Sequence, residues 1–297
     1  MRLLFFFVLF LSSAFAGKLT RKENYALGCS HHKSRPRRYI LNGDSVASLP
    51  PSVVGISIGK GACTGTLISR RHVMTAGHCI ANMFDGHKCE IQLYKLDEIR
   101  IHVGSLCLDQ QHKNCRGHVL RAKEMFLHPG YREMYCTNPP IRNTNDLAII
   151  ELAQDVPVEM ALHACLPVKH NLPRIFHSFG YGGGGTTNDN QLQKLRHMSW
   201  KPTGCKKQID GQFCAHPVHF DQDGCSGDSG MGALLSDGNS RLIVYGVFSA
   251  GNHCSYVSSR LKNKSAVTNK NFPMTDEAFT SVYDNNDFIC QVAGVCV

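Results

Sequence analysis

Cys225-Ser226-Gly227-Asp228-Ser229-Gly230 is, taken by itself, a glycine-rich turn around a serine. Two other short segments, Thr75-Ala76-Gly77-His78-Cys79 and Asn145-Asp146-Leu147-Ala148, change what that turn means. A serine hydroxyl is a poor nucleophile at neutral pH and needs an adjacent base. An imidazole base in turn needs a buried carboxylate to fix its tautomer. His78, Asp146 and Ser229 supply one of each type. Singly, they read as a surface histidine, a turn aspartate and a Gly-Ser turn. Together, in the order His, Asp, Ser, they point to nucleophilic catalysis.

Outward from these segments the chain is a series of short β-type runs. Ser52 to Ile58, Cys63 to Ser69, Ile99 to Val103, Leu147 to Leu152, Ile175 to Phe179, Met231 to Leu235 and Leu242 to Phe248 are rich in Val, Ile, Leu, Phe and Thr. Many short strands and few long amphipathic helices predict antiparallel β-barrels or sandwiches. Asp276 to Cys290 is the one late stretch expected to end in a helix. With 42% hydrophobic and 19% charged residues over 297 positions, the chain is not largely disordered.

The first residues bear on the compartment. Arg2 precedes the apolar run Leu3 to Leu11, and small residues end in Ala14-Phe15-Ala16, the layout of a secretory signal peptide over 1–16. No other apolar stretch approaches the ~20 residues needed to span a bilayer. The expectation is a secreted, extracellular protein with no membrane association. In that compartment the 14 cysteines form at most seven disulfides. Without a C-x-x-C pair or an H-E-x-x-H, neither a metal nor another cofactor is expected.

Residues 17–39 read as a basic pro-segment, with seven basic residues against one acid, Cys29, and the cluster Arg35-Pro36-Arg37-Arg38. The net charge of +9 resides mostly at this end. Residues 1–39 hold eight of the 32 basic residues and one of the 23 acids, which leaves 24 against 22, or +2, from Ile40 onward. Charge without a motif behind it predicts no nucleic-acid partner. Tyr256 to Pro273 reads as an exposed polar loop, and within it Asn263-Lys264-Ser265 is an N-glycosylation sequon.

The flanks of His78, Asp146 and Ser229 resemble the trypsin/chymotrypsin family of serine proteases over nearly everything from Ile40 to Val297. The resemblance implies an all-β fold of two antiparallel six-stranded β-barrels with the active site in the cleft between them. The peptidase domain would be 40–297, with the first barrel at about 40–157 and the second at about 158–297. His78 would be general base and then acid, Asp146 would orient it, and Ser229 would attack the scissile carbonyl. The N–H groups of Gly227 and Ser229 would form the oxyanion hole. A glycine at 227 lets that backbone turn its N–H inward. The implied disulfides are Cys63–Cys79, Cys225–Cys254, Cys205–Cys214 and Cys29–Cys165. Cys89, Cys107, Cys115, Cys136, Cys290 and Cys296 remain, and six cysteines allow about 15 pairings.

The resemblance also places a specificity pocket. Asp223, six residues before Ser229, falls at the pocket base, where a carboxylate selects an Arg or Lys side chain. Gly224 and Gly251 would keep the walls low enough for so long a side chain. Ser249-Ala250-Gly251 is similar to the family's Ser-Trp-Gly, whose backbone pairs with substrate as an added strand. If Phe279-Thr280-Ser281-Val282 matches the family's Tyr-Thr-Arg-Val, Glu277 stands where a pocket glycine is usual; otherwise it is a solvated loop residue. Ile40-Leu41-Asn42-Gly43 is similar to the family's activated terminus, with Asp228 as its partner. Tyr39 precedes it rather than a basic residue, and Arg37-Arg38 lies one position too early.

Partners implied are protein or peptide substrates, an activating protease and protein inhibitors. The rival expectation is a catalytically silent homologue acting as a secreted binding or regulatory module. Two other motifs are set aside. Gly180-Tyr181-Gly182-Gly183-Gly184-Gly185 matches G-x-G-x-x-G but lacks a following helix signal, so nucleotide binding is not expected. Met231 breaks the G-x-S-x-G elbow.

Overall fold

Val53–Ile58 (β1) shows why this chain makes barrels. Its Val54 and Ile56 are fully buried, whereas Ser57 is partly exposed. A strand of this kind must close on others to cover its apolar side chains. The computed structural model describes residues 50–59, 61–83, 91–108, 115, 117–132, 143–157, 159–182, 195–205, 209–219, 223–238, 241–251 and 277–297. The signal segment, the pro-segment, Ile40, Asn263 and the Tyr256 to Pro273 loop lie outside the described residues.

The first closed barrel is ordered β1-β2-β3-β8-β7-β6, from β1, β2 (Gly61–Leu67), β3 (His72–Thr75), β6 (Ile99–Val103), β7 (His118–Leu127) and β8 (Ala148–Leu152). A two-stranded sheet of β4 (Ala81–Met83) and β5 (Ile91–Leu93) lies beside it in sequence. All named pairings are antiparallel. Ile56 pairs with Cys63 on one side and Ile101 on the other. The register of β3 on β8 matters most for the site, because Met74 faces Ile149 and Thr75 faces Ala148. It sets the residues just after β3 beside those just before β8.

The second barrel is ordered β10-β11-β14-β13-β12-β9, from β9 (Phe176–Gly180), β10 (Arg196–Thr203), β11 (Gln212–Pro217), β12 (Gly232–Ser236), β13 (Leu242–Ala250) and β14 (Glu277–Ser281). Its core is aromatic. Phe279 packs edge-on to Trp200 at 5.4 Å and to Phe176 at 5.1 Å, and stacks on Phe213 at 5.4 Å. Such pairs add about 0.5–1.5 kcal/mol beyond the area they bury. A short helix, α1 (Asn286–Ala293), buries Ile289 and ends at Gly294 in the left-handed region (φ 68°), where the Gly294 N–H reaches the Cys290 carbonyl at 3.0 Å.

The seven β-rich runs all lie in strands. Strands β3, β4, β5, β7, β10, β11 and β14 are not among those runs, and β10 shows why. Its His197 and Ser199 are buried polar residues that share a neighbour, His177: His197 Nε2 lies 3.1 Å from His177 Nδ1, which lies 3.1 Å from Ser199 Oγ. Burial, with His177 and His219 nearby, pushes the His197 pKa down to about 3. Disulfides join Cys63–Cys79, Cys205–Cys214, Cys107–Cys115 and Cys290–Cys296. Cys165 and Cys225 are also disulfide-bonded. Their expected partners, Cys29 and Cys254, and also Cys89 and Cys136, lie outside the described residues.

Candidate active site

The β3–β8 register carries Asp146 to His78. After β3 the chain makes one 3-10 turn, Gly77–Cys79, closed by the Ile80 N–H on the Gly77 carbonyl at 3.0 Å. Before β8, Asn145 takes a left-handed conformation (φ 46°), which asparagine tolerates better than most residues. Its side chain donates to the Gly130 carbonyl at 3.0 Å and holds that turn. The result is a fully buried Asp146 facing a His78 whose side chain is 26% exposed.

Asp146 is a hydrogen-bond hub. Oδ1 accepts the His78 backbone N–H at 2.9 Å; Oδ2 accepts from His78 Nδ1 at 2.8 Å and from the Ser249 hydroxyl at 2.6 Å. Thr280 Oγ1 donates to the Asp146 carbonyl at 3.0 Å. Burial drives the carboxyl pKa up, but the His78 charge and the hydrogen bonds from His78 and Ser249 outweigh it and hold it below the ordinary value. An ionised carboxylate only accepts, so His78 Nδ1 must donate, which leaves Nε2 as the acceptor whenever the ring is neutral. Ser249 and Thr280 come from β13 and β14, so the second barrel holds the carboxylate through Ser249 and the Asp146 backbone through Thr280.

Ser229 sits partly exposed in the loop between Cys225 and β12. The loop is tied by Asp228 N–H to the Cys225 carbonyl at 2.8 Å, Gly230 N–H to the Phe248 carbonyl at 2.9 Å, and Thr64 N–H to the Ser229 carbonyl at 2.8 Å. Gly227 has φ +99°, and a Cβ there would sit 2.9 Å from the Gly182 Cα, so both conformation and space require glycine.

Asp228 turns away from His78 and is fully buried. Oδ1 accepts the Gly182 N–H at 2.8 Å and Oδ2 the Cys225 N–H at 2.9 Å, with Arg196 Nη2 at 3.7 Å. Burial raises its pKa, against the opposing pull of Arg196 and the two backbone donors.

Gly224 and Gly251 were expected to leave room for a long substrate side chain. Instead, the Phe248 ring fills the space beside both: a Cβ on Gly224 would lie 2.3 Å from Phe248 Cζ, and one on Gly251 2.8 Å from it. Phe248 is held there by Trp200 at 6.1 Å and Phe279 at 5.3 Å. Glu277 is no solvated loop residue. It is buried on β14 opposite Ala215, and its Oε2 lies where a Cβ on Gly251 would come within 1.7 Å. Asp223 is buried as well. The Ser249 side chain serves Asp146, which leaves its backbone for any strand-like contact.

The sulfurs of Cys63 and Cys79 lie close to His78, but they are bonded to each other and offer no thiolate for a metal. Thr64, Arg196, Phe248 and Thr280 were not singled out from sequence. Each joins the site by tertiary packing onto residues more than 20 positions away, and none has a local motif.

A family model described as Trypsin matches residues 40–261. The chain is 30% identical to a CLIP domain-containing serine protease B10 of Anopheles gambiae over 206 residues, 65% of this chain and 55% of that protein. It is 27% identical to the venom serine protease Bi-VSP of Bombus ignitus over 210 residues, 65% and 52% of the two chains. It is also 27% identical to Trypsin Tyr p 3.0101 of Tyrophagus putrescentiae over 263 residues, 83% of each chain. This chain spans about half the length of the first two, at 55% and 52%. The family match runs through the His78, Asp146 and Ser229 segments, and with two closed barrels behind them the chain belongs to the trypsin family.

Proposed function

We propose that this chain is a secreted serine endopeptidase, made as a zymogen, that cleaves peptide bonds after Arg or Lys. The observation that carries it is the double hydrogen bond from His78 to a buried, ionised Asp146, at 2.9 Å and 2.8 Å, in a chain of this family.

In that reading His78 Nε2 takes the Ser229 Oγ proton as Oγ attacks the scissile carbonyl. The oxyanion formed is met by the N–H groups of Gly227 and Ser229. His78 returns the proton to the leaving amine, and water then repeats the sequence on the acyl-enzyme. Asp146 keeps the imidazole in one tautomer and stabilises its cation. Asp223 and Glu277 make the pocket region acidic, which favours a basic substrate side chain. Entry of that side chain requires the Phe248 ring to turn aside. Activation would follow cleavage of the leader near Ile40, and Asp228 would receive the new terminus.

The space filled by Phe248 and Glu277 also favours the second reading, a silent homologue that binds rather than cuts. One experiment separates them: the processed protein is treated with a serine-directed phosphonylating reagent, with Ser229→Ala as control. Labelling at Ser229 together with turnover of Arg or Lys substrates is expected, and Asp223→Ser should lower that turnover by about 10²-fold. No labelling after confirmed cleavage of the leader would sink the enzyme reading.

A further inference from the structure

The loop that carries Ser229 is held by a residue of the other barrel. Thr64, on β2 next to Cys63, is fully buried. Its backbone N–H donates to the Ser229 carbonyl at 2.8 Å, and its hydroxyl donates to the Gly227 carbonyl at 2.9 Å. Gly227 and Ser229 are the two residues whose amides form the proposed oxyanion hole. One threonine therefore holds the carbonyl of each.

The same hydroxyl oxygen accepts the Tyr181 N–H at 3.0 Å, and the Tyr181 hydroxyl donates to the Ser105 carbonyl at 2.5 Å. A hydroxyl has one proton to give, so with Tyr181 as donor the Thr64 proton is committed to Gly227. On its far side the Thr64 carbonyl accepts from the Thr75 hydroxyl at 2.8 Å, which fixes β2 to β3 at the strand end that leads to His78. The hydroxyl thus ties three separate pieces of backbone: β2, the end of β9 and the Ser229 loop.

Gly227 needs such a tie. At φ +99° it has no side chain to limit its torsions, and rotation of the Gly227–Asp228 peptide unit would pull the Asp228 N–H off the Cys225 carbonyl, 2.8 Å away, and open the turn that sets the Gly227 and Ser229 amides.

We propose that the Thr64 hydroxyl is a positioning residue for the oxyanion hole, acting through the Gly227 carbonyl. The proposal rests on the endopeptidase reading for its kinetic consequence, and on the geometry alone for its effect on the loop. Thr64→Val keeps the volume and removes the hydroxyl. Thr64→Ser keeps the hydroxyl, and Thr64→Ala differs from Thr64→Ser only by lacking it.

On an amide substrate, kcat of the activated Val and Ala variants should fall on the order of 10- to 100-fold with KM little changed. The inhibition constant of a substrate-like peptide aldehyde, which forms a tetrahedral adduct, should rise by a similar factor. Thr64→Ser should stay near wild type in both. Amide hydrogen exchange across Cys225 to Gly230 in the full chain should quicken in the Val and Ala variants but not in Ser, and this is readable whether or not the protein turns over substrate. If Val fails to fold, the Ser and Ala pair carries the comparison. Equal kcat, or equal exchange, in the variants with and without the hydroxyl overturns the proposal. Absent turnover with the exchange order retained overturns only the endopeptidase reading.

Discussion

Asp146 and Asp228 are both fully buried, both accept two hydrogen bonds from backbone or ring N–H groups, and both have a basic side chain close by, yet their pKa values are displaced in opposite directions. At Asp146 the partner ring is hydrogen-bonded at 2.8 Å and a third donor, Ser249, adds to it. At Asp228 the nearest cation, Arg196, is 3.7 Å away, beyond hydrogen-bond distance, and another carboxylate, Asp223, contributes repulsion. Burial acts on both equally. What separates them is whether the compensating charge is in contact. Asp146 is fully compensated by its own region and is ready to orient a base. Asp228 is compensated only in part, which suits a carboxylate reserved for a further cation.

The sharpest way to break the comparison is amidation of each carboxylate. Asp146→Asn offers an N–H where an acceptor is needed and forces His78 toward the wrong tautomer, so kcat should fall on the order of 10⁴-fold with the fold retained. Steady-state kinetics on the processed protein, with circular dichroism as the check on folding, decides this. A loss below about tenfold would mean that the Asp146 contact is structural.

Arg196→Gln tests the other side. Arg196 is 29% exposed and lies 3.7 Å from the Asp228 carboxylate, so removing it should cost about 1–2 kcal/mol, well below the loss from breaking a fully buried pair. A fall in Tm of a few degrees, absent when Asp228 is already Asn, is the expected result of thermal melts on the two single variants and the double. No fall in the single variant would show that Asp228 needs no internal cation.

The smallest effect is in the pH dependence. Asp146 has a depressed pKa, so its contribution to stability is present above the ordinary value of 3.8 and is lost as pH falls through the lower folded value. Asp228 has a raised pKa, so its contribution is fully present below 3.8 and is lost as pH rises through the higher folded value. Melts across pH should therefore show the gap between wild type and Asp146→Asn narrowing below about pH 4. The stability of wild type relative to Asp228→Asn should fall as pH rises above 3.8 through the raised folded value. Parallel curves would remove the contrast drawn between the two regions.

Legibility from sequence followed the same division between local and distant causes. The apolar runs that became β1, β2, β6, β8, β9, β12 and β13 announced themselves because their inward faces are hydrocarbon. Strands β10 and β14 did not, because His197 and Ser199 on β10 and Glu277 on β14 are buried polar groups, which a chain buries only where tertiary neighbours surround them. Gly224 and Gly251 were read as room for a substrate. They are also room for Phe248, a residue more than 20 positions from Gly224 and brought back to it by β13. A missing side chain says that something approaches closely, without saying what.

What the sequence determined by itself was the chemistry available: one histidine, one aspartate and one serine in order, with a glycine where an amide must turn and cysteines placed to staple them. Residue type and short spacing suffice for that, because nucleophile, loop conformation and disulfide potential are local properties. Only the tertiary structure decided which groups meet. The register of β3 on β8 brings Asp146 to His78, the packing of β2 against the second barrel brings Thr64 to Gly227, and the aromatic core brings Phe248 against Gly224 and Gly251. Each of these contacts joins residues tens of positions apart, and its geometry is set by strand pairing and packing density, which no short stretch of sequence contains.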